Sequence, residues 1–523
     1  MNIDLFYQTR QKSFFTGIRI MKINKTIINF ARKHPFVSNI GYNTLKIYWR
    51  LKTIFVDYNH TDIHSTIHKD LIIDFNKNRP YGPKKRICYA PFNSMHFQMN
   101  GDVTACCFNS TFIIGNVNEN SINEIWNGER ANHFREKLEN FDFEYCKSCE
   151  KVLQSKNYSS FPALKYDLYA DDNTNFPTQM SFEISDLCNF ECIMCNENLS
   201  SSIRKRKGLP PQKNIYPDSF FEQLKDFLPT LESATFIGGE PLLIKTYFRI
   251  WEDILRLNAK CTIHIQTNAS YLSSRFLDML ETGQFDIGVS LDALEKSIFE
   301  MIRVNSNFET IQQNIKTLKS YMDRGKVNLN INFCPLTKNW KELPMMIEYC
   351  NSLAIPIKIL NVESPRNLAL LHRDADYINN IIVELEKVTF KKDNHIISKK
   401  NMDSYFQFIN QLHYLKKEAD KRKQMFLSIK EDMDAKFDIL FLETNFLQNF
   451  TTEQKKQLNK EIDILIEELT MANTSLKEQL KFRVYYNNLQ FDSNNAVSFT
   501  DYDQVKQTLV NVINEFYHLL SEK

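Results

Sequence analysis

Residues 179–195 decide how the chain is read: Gln179-Met180-Ser181-Phe182-Glu183-Ile184-Ser185, then Asp186-Leu187, then Cys188-Asn189-Phe190-Glu191-Cys192-Ile193-Met194-Cys195. Polar and apolar residues alternate through the first seven positions, the period of a β-strand. The strand runs into a loop with three cysteines at CxxxCxxC spacing. Three thiolates on one loop suit a cubane iron–sulfur cluster. Such clusters are normally held by four cysteines, so three leave one iron open to an outside ligand, as an open catalytic zinc site differs from a closed structural one. A zinc knuckle lacking one ligand is the competing assignment, and it would want a fourth Cys or His within reach.

Downstream, strand and helix patterns alternate. Strands are expected at 181–185, 234–237, 262–266, 285–291, 327–334 and 357–361, with helices near 219–228, 245–257, 272–281, 308–322 and 341–352. This alternation predicts six parallel strands in βαβ units, an α/β fold whose chemistry sits at the C-terminal strand ends. The polar residues obey that rule. The cysteine loop follows strand one, Gly238-Gly239-Glu240-Pro241 strand two, and Thr267-Asn268 strand three; Ser290 and Asp292 end strand four, Asn332 and Cys334 strand five, Asn361 and Glu363 strand six.

CxxxCxxC after strand one, with GGEP after strand two, resembles the radical S-adenosylmethionine (SAM) superfamily over residues 179–372. The resemblance implies a partial (β/α)6 TIM-like barrel and a [4Fe-4S] cluster held by Cys188, Cys192 and Cys195, whose open iron chelates SAM. It places Gly238, Gly239 and Glu240 at the methionine amino group: glycines allow close backbone approach and a carboxylate accepts from an ammonium. Ser290 and Arg303 match residues expected on the SAM carboxylate and ribose, with Asn268 on the same rim as a further cofactor contact. Met194 departs from the family, which usually carries an aromatic residue beside the adenine; a methionine can pack on the ring. The implied reaction is reductive cleavage of SAM to a 5′-deoxyadenosyl radical that abstracts a substrate hydrogen, fed by an external electron donor of the flavodoxin or ferredoxin kind. Cys334 shares a strand face with Asn330 and Asn332, and its thiol could return a hydrogen atom to a substrate radical. Asp292 and Glu363 could accept a proton or serve as SAM or cap contacts.

Upstream, residues 81–160 hold five cysteines: Cys88, Cys106, Cys107, Cys146 and Cys149. Asn100-Gly101 marks a type I′ hairpin, and Ser121-Ile122-Asn123-Glu124 is a capping box that opens a helix. Two distant cysteine pairs joined by a hairpin and helices read as one metal site, and CxxC alone does not separate zinc from iron–sulfur. Cys88, twelve residues, Gly101, four residues, Cys106, then Cys146-x-x-Cys149, resembles the SPASM and shorter twitch modules that carry auxiliary [4Fe-4S] clusters. The resemblance implies one auxiliary cluster on Cys88, Cys106, Cys146 and Cys149, with Cys107 left over. Such modules usually follow the barrel; this small α+β module precedes it.

At 523 residues the chain is long enough for two to four domains, and a formal charge of +2 argues against nucleic acid as the general partner. Residues 1–80 read as a basic, mostly helical segment: ten Lys or Arg stand against one acid before position 57, compatible with weak membrane-surface contact or with packing on the next domain. Eleven cysteines and no evident export signal or apolar span point to metal binding in the cytoplasm. Cys261 and Cys350 read as core. Residues 373–523 read as an α-helical C-terminal domain with expected helices at 377–388, 402–427, 453–476 and 501–520. Three functions fit: modification of a peptide or protein by crosslinking, epimerisation or oxidation; dehydrogenation or rearrangement of a small polar molecule such as a sugar or aminocyclitol; or non-catalytic metal-cluster binding.

Overall fold

A computed structural model describes residues 67–429, 451–470, 476–481 and most of 506–517, apart from positions 81, 110–111, 155, 157, 159–160, 168–174, 214 and 392. The basic N-terminal helix expected before residue 57 lies outside the described residues, as does most of the helix expected at 501–520.

The described strands in chain order are β1 (Ser94–Gln98), β2 (Asp102–Thr104), β3 (Gly115–Asn116), β4 (Gln179–Glu183), β5 (Glu191–Cys192), β6 (Ser233–Phe236), β7 (Thr262–Thr267), β8 (Gln284–Ser290), β9 (Arg303–Val304), β10 (Val327–Phe333) and β11 (Ile357–Ile359). Nine of them form one sheet in the order β11-β10-β8-β7-β6-β4-β1-β2-β3, and β5 pairs with β9. The six expected strands β4, β6, β7, β8, β10 and β11 are present and parallel. A seventh joins them. β1 pairs parallel to β4 with Ser94 opposite Gln179 and Gln98 opposite Glu183, so the upstream module continues the sheet where β4 would otherwise be an open edge.

The hairpin β1–β2 forms at the expected place by a different turn. Gly101 takes φ +82° and its N–H donates to Gln98 O at 3.0 Å, while Asn100 stays out of the left-handed region and accepts on Oδ1 from the Asp102 N–H. Only one residue takes positive φ, which excludes the type I′ turn the Asn-Gly pair suggested and matches a turn with a glycine bulge.

One face of the sheet is apolar and covered by helices. Phe97, Phe182 and Phe236 stack across β1, β4 and β6, and Phe236 meets Tyr247 and Trp251 of the helix Lys245–Leu257 edge-on at 5.1 and 5.5 Å. The other face is polar and is the barrel interior. The long helix Ile396–Ile429 packs beside the barrel, not over it, against Ala375–Glu386, Leu343–Ser352 and β11. Its Asn401 accepts from Ile357 N–H and donates to Ile355 O, capping the β11 edge. Thr452–Thr470 buries Leu458, Ile462 and Ile466, four apart, in a separate apolar cluster with Leu509, Ile513 and Phe516. No helix among the described residues is long and apolar enough to cross a membrane.

Candidate active site

The cysteine loop is held from three sides. Ser200 caps the helix Ser201–Arg206 and donates to Phe190 O at 2.7 Å, while the Ser201 and Ser202 hydroxyls donate to Cys188 O at 3.1 and 2.8 Å. On the second side, Gly239 presses its backbone onto Leu187: a Cβ there would lie 2.3 Å from Leu187 O, and Glu240 N–H donates to that oxygen at 2.7 Å. Gly239 therefore makes room for the chain's own cysteine loop, and Gly238 for the end of β4 at Glu183 and Ser185. On the third side, β5 carries Cys192 alongside Arg303 of β9.

Glu240 is buried and its carboxylate is engaged. Oε1 accepts from Leu242 N–H at 3.0 Å and from the Thr267 hydroxyl at 2.5 Å, and Oε2 accepts from Asn268 N–H at 2.6 Å. Burial raises its pKa to about 6 against those three donors. Two carboxylate oxygens offer about four lone-pair sites, so one acceptor position is left for an ammonium. Asn268 also donates to Asn189 Oδ1 at 3.0 Å, tying the loop after β7 to the cysteine loop. The Ser290 hydroxyl has no partner among the described residues. Met194 packs in an apolar group with Ile302, Leu336 and Leu368.

Arg303 sits between two of the expected site residues. Nη2 pairs with Asp292 Oδ2 at 2.6 Å, the two side chains being 9% and 0% exposed, and Nη1 donates to Cys192 Sγ at 3.7 Å. Asp292 Oδ1 accepts from Cys334 N–H at 2.8 Å. The pair thus links the ends of β8 and β10 to the cysteine loop, and Arg303 Nε is buried with no partner among the described residues. Burial pushes the Cys334 thiol up to about 12, with Asp292 adding to the shift and Arg303 opposing it.

The upstream thiols also converge. Cys88, Cys106, Cys146 and Cys149 line one cavity with Tyr166; Cys107 does not line it. Burial and mutual repulsion raise the pKa of Cys88 and Cys146, and Cys149 is pushed up to about 12 by burial and Cys106. In the cysteine loop, burial lifts Cys188 to about 12 and Cys195 to about 11. Metal binding would expel these protons. Both donor sets fit iron–sulfur chemistry: the thiols are grouped, and N–H groups reach Cys88 Sγ from Ala90 (3.4 Å), Cys146 Sγ from Asn109 (3.8 Å) and Cys188 Sγ from Phe190 (3.5 Å), the contacts that set a cluster's potential. Because β1 runs parallel to β4, Cys88 and Cys106 lie at the N-terminal end of the sheet and the cysteine loop at the C-terminal end. The strand between them spans roughly 13–17 Å.

The inner face carries polar residues that sequence reasoning did not assign. His96, Ser181, Thr235, His264 and Asp286 lie directly across from one another on β1, β4, β6, β7 and β8. Higher up, Gly288 leaves space for Asn332, and Asn330 donates to Asn332 at 2.8 Å. His96 Nε2 faces Glu183 at 3.5 Å. Four buried atoms on β1 and β4 have no partner among the described residues: His96 Nδ1, Gln98 Nε2, Gln179 Nε2 and Ser181 Oγ. The strict alternation in 179–185 was the signal for the two on β4; for β1 the missing fact was its pairing with β4.

Residues 182–350 match the radical SAM superfamily, and residues 88–150 match SPASM, an iron–sulfur cluster-binding domain. Among curated proteins the chain is 23% identical over 227 residues to a probable GTP 3',8-cyclase of Methanococcus maripaludis, covering 43% of this chain and 70% of that one. It is 25% identical over 181 residues to the probable GTP 3',8-cyclase of Methanocaldococcus jannaschii, covering 35% and 57%. Similar solved structures include native anSMEcpe with bound AdoMet (19% identity, 40% of this chain and 59% of that one, TM-score 0.33) and Streptococcus suis SuiB bound to precursor peptide SuiA (15%, 52% and 64%, TM-score 0.29). The chain thus spans 57 to 70% of the length of these relatives. The two domain matches fall on the two thiol groups: residues 182–350 carry a radical SAM domain, which implies a [4Fe-4S] cluster and SAM, and residues 88–150 carry an SPASM iron–sulfur domain ahead of it.

Proposed function

We propose that this chain is a radical SAM enzyme that modifies a peptide or protein. The observation that carries the enzyme reading is the three-thiol loop at the C-terminal end of β4, braced by Glu240 and by the Arg303–Asp292 pair. When bound, the cluster and SAM supply reductive cleavage of SAM to methionine and a 5′-deoxyadenosyl radical that takes a hydrogen from the substrate. Cys188, Cys192 and Cys195 hold that cluster, and Cys88, Cys106, Cys146 and Cys149 hold the auxiliary one. Gly238 and Gly239 fix the rim, Glu240 keeps one acceptor site for the SAM ammonium, and Asn268 holds the cysteine loop through Asn189. Ser290 offers its unpartnered hydroxyl to the SAM carboxylate or ribose. Met194 packs beside the adenine. Arg303 orients Cys192, and Asp292 neutralises Arg303 while fixing Cys334, whose protonated thiol faces the same interior.

The peptide reading follows from the SPASM resemblance, and the wall of polar side chains that β1 adds to the inner face beside β4 suits an amide-bearing substrate. A second reading, a nucleotide or other small polar substrate, is favoured by the curated relatives named GTP 3',8-cyclases. Anaerobic reconstitution, metal counting and chromatography for 5′-deoxyadenosine under dithionite test the class: zinc in place of iron and no deoxyadenosine sink it. Co-expression with a short peptide encoded beside the gene, read by mass spectrometry, tests the substrate, with GTP consumption as the competing result. The cytoplasmic setting, inferred from the eleven cysteines, belongs to the same proposal.

A further inference from the structure

The cavity that gathers the four upstream thiols has a wall lying outside both domain matches. The short helix Leu164–Asp167 sits on the crossover to β4, and its buried Tyr166 packs with Cys88, Tyr89, Ala90 and Cys106. Tyr166 lines the cavity together with Cys88, Cys106, Cys146 and Cys149. Its hydroxyl has no hydrogen-bond partner among the described residues, although a buried tyrosine normally finds one.

The next residue explains how the ring is held. Asp167 pairs with Arg79, and both side chains are 0% exposed. All five guanidinium N–H groups are used. Nε donates to Asp167 Oδ2 at 2.5 Å and Nη2 to Asp167 Oδ1; Nη1 donates to Asn76 Oδ1 at 3.1 Å and Arg86 O at 2.9 Å, and Nη2 also reaches Ile87 O at 3.3 Å. One arginine thus ties the residue after Tyr166 to the two residues before Cys88. The ring of Phe75 lies against the guanidinium at 4.9 Å and meets Phe161, another residue of the cavity wall, edge-on at 5.0 Å. Arg79 and Asp167 are 88 residues apart and stand on either side of the segment matched as SPASM, so the cysteine spacing does not account for them.

We propose that the Arg79–Asp167 pair holds Tyr166 so that its hydroxyl donates to the sulfurs of the auxiliary cluster and raises that cluster's potential, an inference that rests on the iron–sulfur reading of the four thiols. Cluster potentials respond to hydrogen bonds at sulfur. An added electron puts more negative charge on those sulfurs, so a fixed O–H donor favours the reduced state. The proton stays on the tyrosine oxygen. A pair this deeply buried gains little net stability over apolar side chains of the same size, whereas its two-point geometry fixes direction. Tyr166 then sets the potential, and Arg79 and Asp167 are positioning residues that act through it.

The test uses full-length protein reconstituted anaerobically. Redox titration followed by electron paramagnetic resonance gives the midpoint potential of each cluster, and a Cys188→Ala/Cys192→Ala/Cys195→Ala variant, which keeps only the upstream cluster, identifies its signal. Tyr166→Phe removes the hydroxyl and keeps the ring. It should hold as much iron as wild type and lower the upstream cluster's reduction equilibrium constant about tenfold, which is about 59 mV for one electron, with the loop cluster unmoved. Asp167→Asn should shift the same cluster in the same direction, and adding it to Tyr166→Phe should shift it no further. If Asp167→Asn does not fold, Tyr166→Phe decides alone. An upstream potential in Tyr166→Phe equal to wild type overturns the proposal, and so does an equal shift of both clusters. An Asp167→Asn shift that persists undiminished in the Tyr166→Phe background overturns the positioning role of the pair. Zinc on the upstream thiols of wild-type protein refutes the underlying iron–sulfur reading, and metal analysis shows it before any variant is made.

Discussion

Replacing Gly239 with alanine tests whether this glycine exists to let the cysteine loop close. The residue has φ +45°, and an added Cβ would lie 2.3 Å from Leu187 O, 2.8 Å from Leu187 C and 2.9 Å from Asp186 C. All three are backbone atoms, so no side chain can turn aside. Opening the first contact to 3.0 Å alone needs a shift of 0.7 Å at Leu187 O, the same oxygen that accepts the 2.7 Å bond from Glu240 N–H. Overpacking, a weakened hydrogen bond and the left-handed backbone together cost about 3–5 kcal/mol. Gly325→Ala is the matched control: φ is +70° there and nothing lies within 4 Å, so only the backbone term of about 1 kcal/mol remains. Both variants are reconstituted anaerobically, iron is counted, and unfolding in denaturant is followed by circular dichroism. Gly239→Ala should lose about four irons, one cluster's worth, and keep those of the upstream thiols; Gly325→Ala should keep all. If Gly239→Ala fills with iron and unfolds alongside Gly325→Ala, the closure argument is wrong.

Three other outcomes are expected. Asp292→Asn leaves Arg303 buried and unpaired and should destabilise by about 3–5 kcal/mol, while Asp292→Asn/Arg303→Met should lose less than the two singles combined; an additive cycle would show that the 2.6 Å pair is not coupled. Cys106→Ala should remove about four irons and Cys107→Ala none, because only Cys106 lines the four-thiol cavity, and iron analysis of the two proteins decides it. Ser181→Ala deletes a buried hydroxyl with no partner and should raise the melting temperature, by about 1 kcal/mol in stability, whereas a lowered one would mean the hydroxyl is satisfied by bound water.

The barrel was legible because its strands are short, apolar on the helix side and separated by amphipathic helices, and because rim residues such as Glu240 and Ser290 fall at strand ends by position alone. The capping box at Ser121 formed as read, with Ser121 and Glu124 bonding each other's backbone. What stayed hidden depends on contacts distant in sequence. Nothing near Arg303 announces that it will meet both Asp292 and Cys192, since β5 and β9 are two-residue strands with no periodicity to read. Thr267 and Asn189 were visible as polar loop residues, but their partners, Glu240 and Asn268, are set by how the loops stack. The pairing of β1 with β4 was invisible for another reason: an Asn-Gly hairpin predicts its own two strands and says nothing about which sheet will accept them.

That pairing bears on what the upstream thiols do. Cys88 precedes β1, Cys106 follows β2, and Cys146 and Cys149 lie on the crossover that carries the chain from the hairpin back to β4. The four thiols therefore converge at the N-terminal end of the sheet, roughly one strand length from the cysteine loop. A relay at that end would have to send electrons roughly one strand length along the sheet to reach the cysteine loop. A clamp there needs no such path. Tying the start of β1 to the middle of the crossover helps fix the place of β1 beside β4, and register decides which side chains face inward: a slip of one residue would turn His96 and Gln98 to the helix side and bring Met95 and Phe97 into the interior. Ligands at the far end of the strand can thus hold the polar wall in place without touching what binds to it.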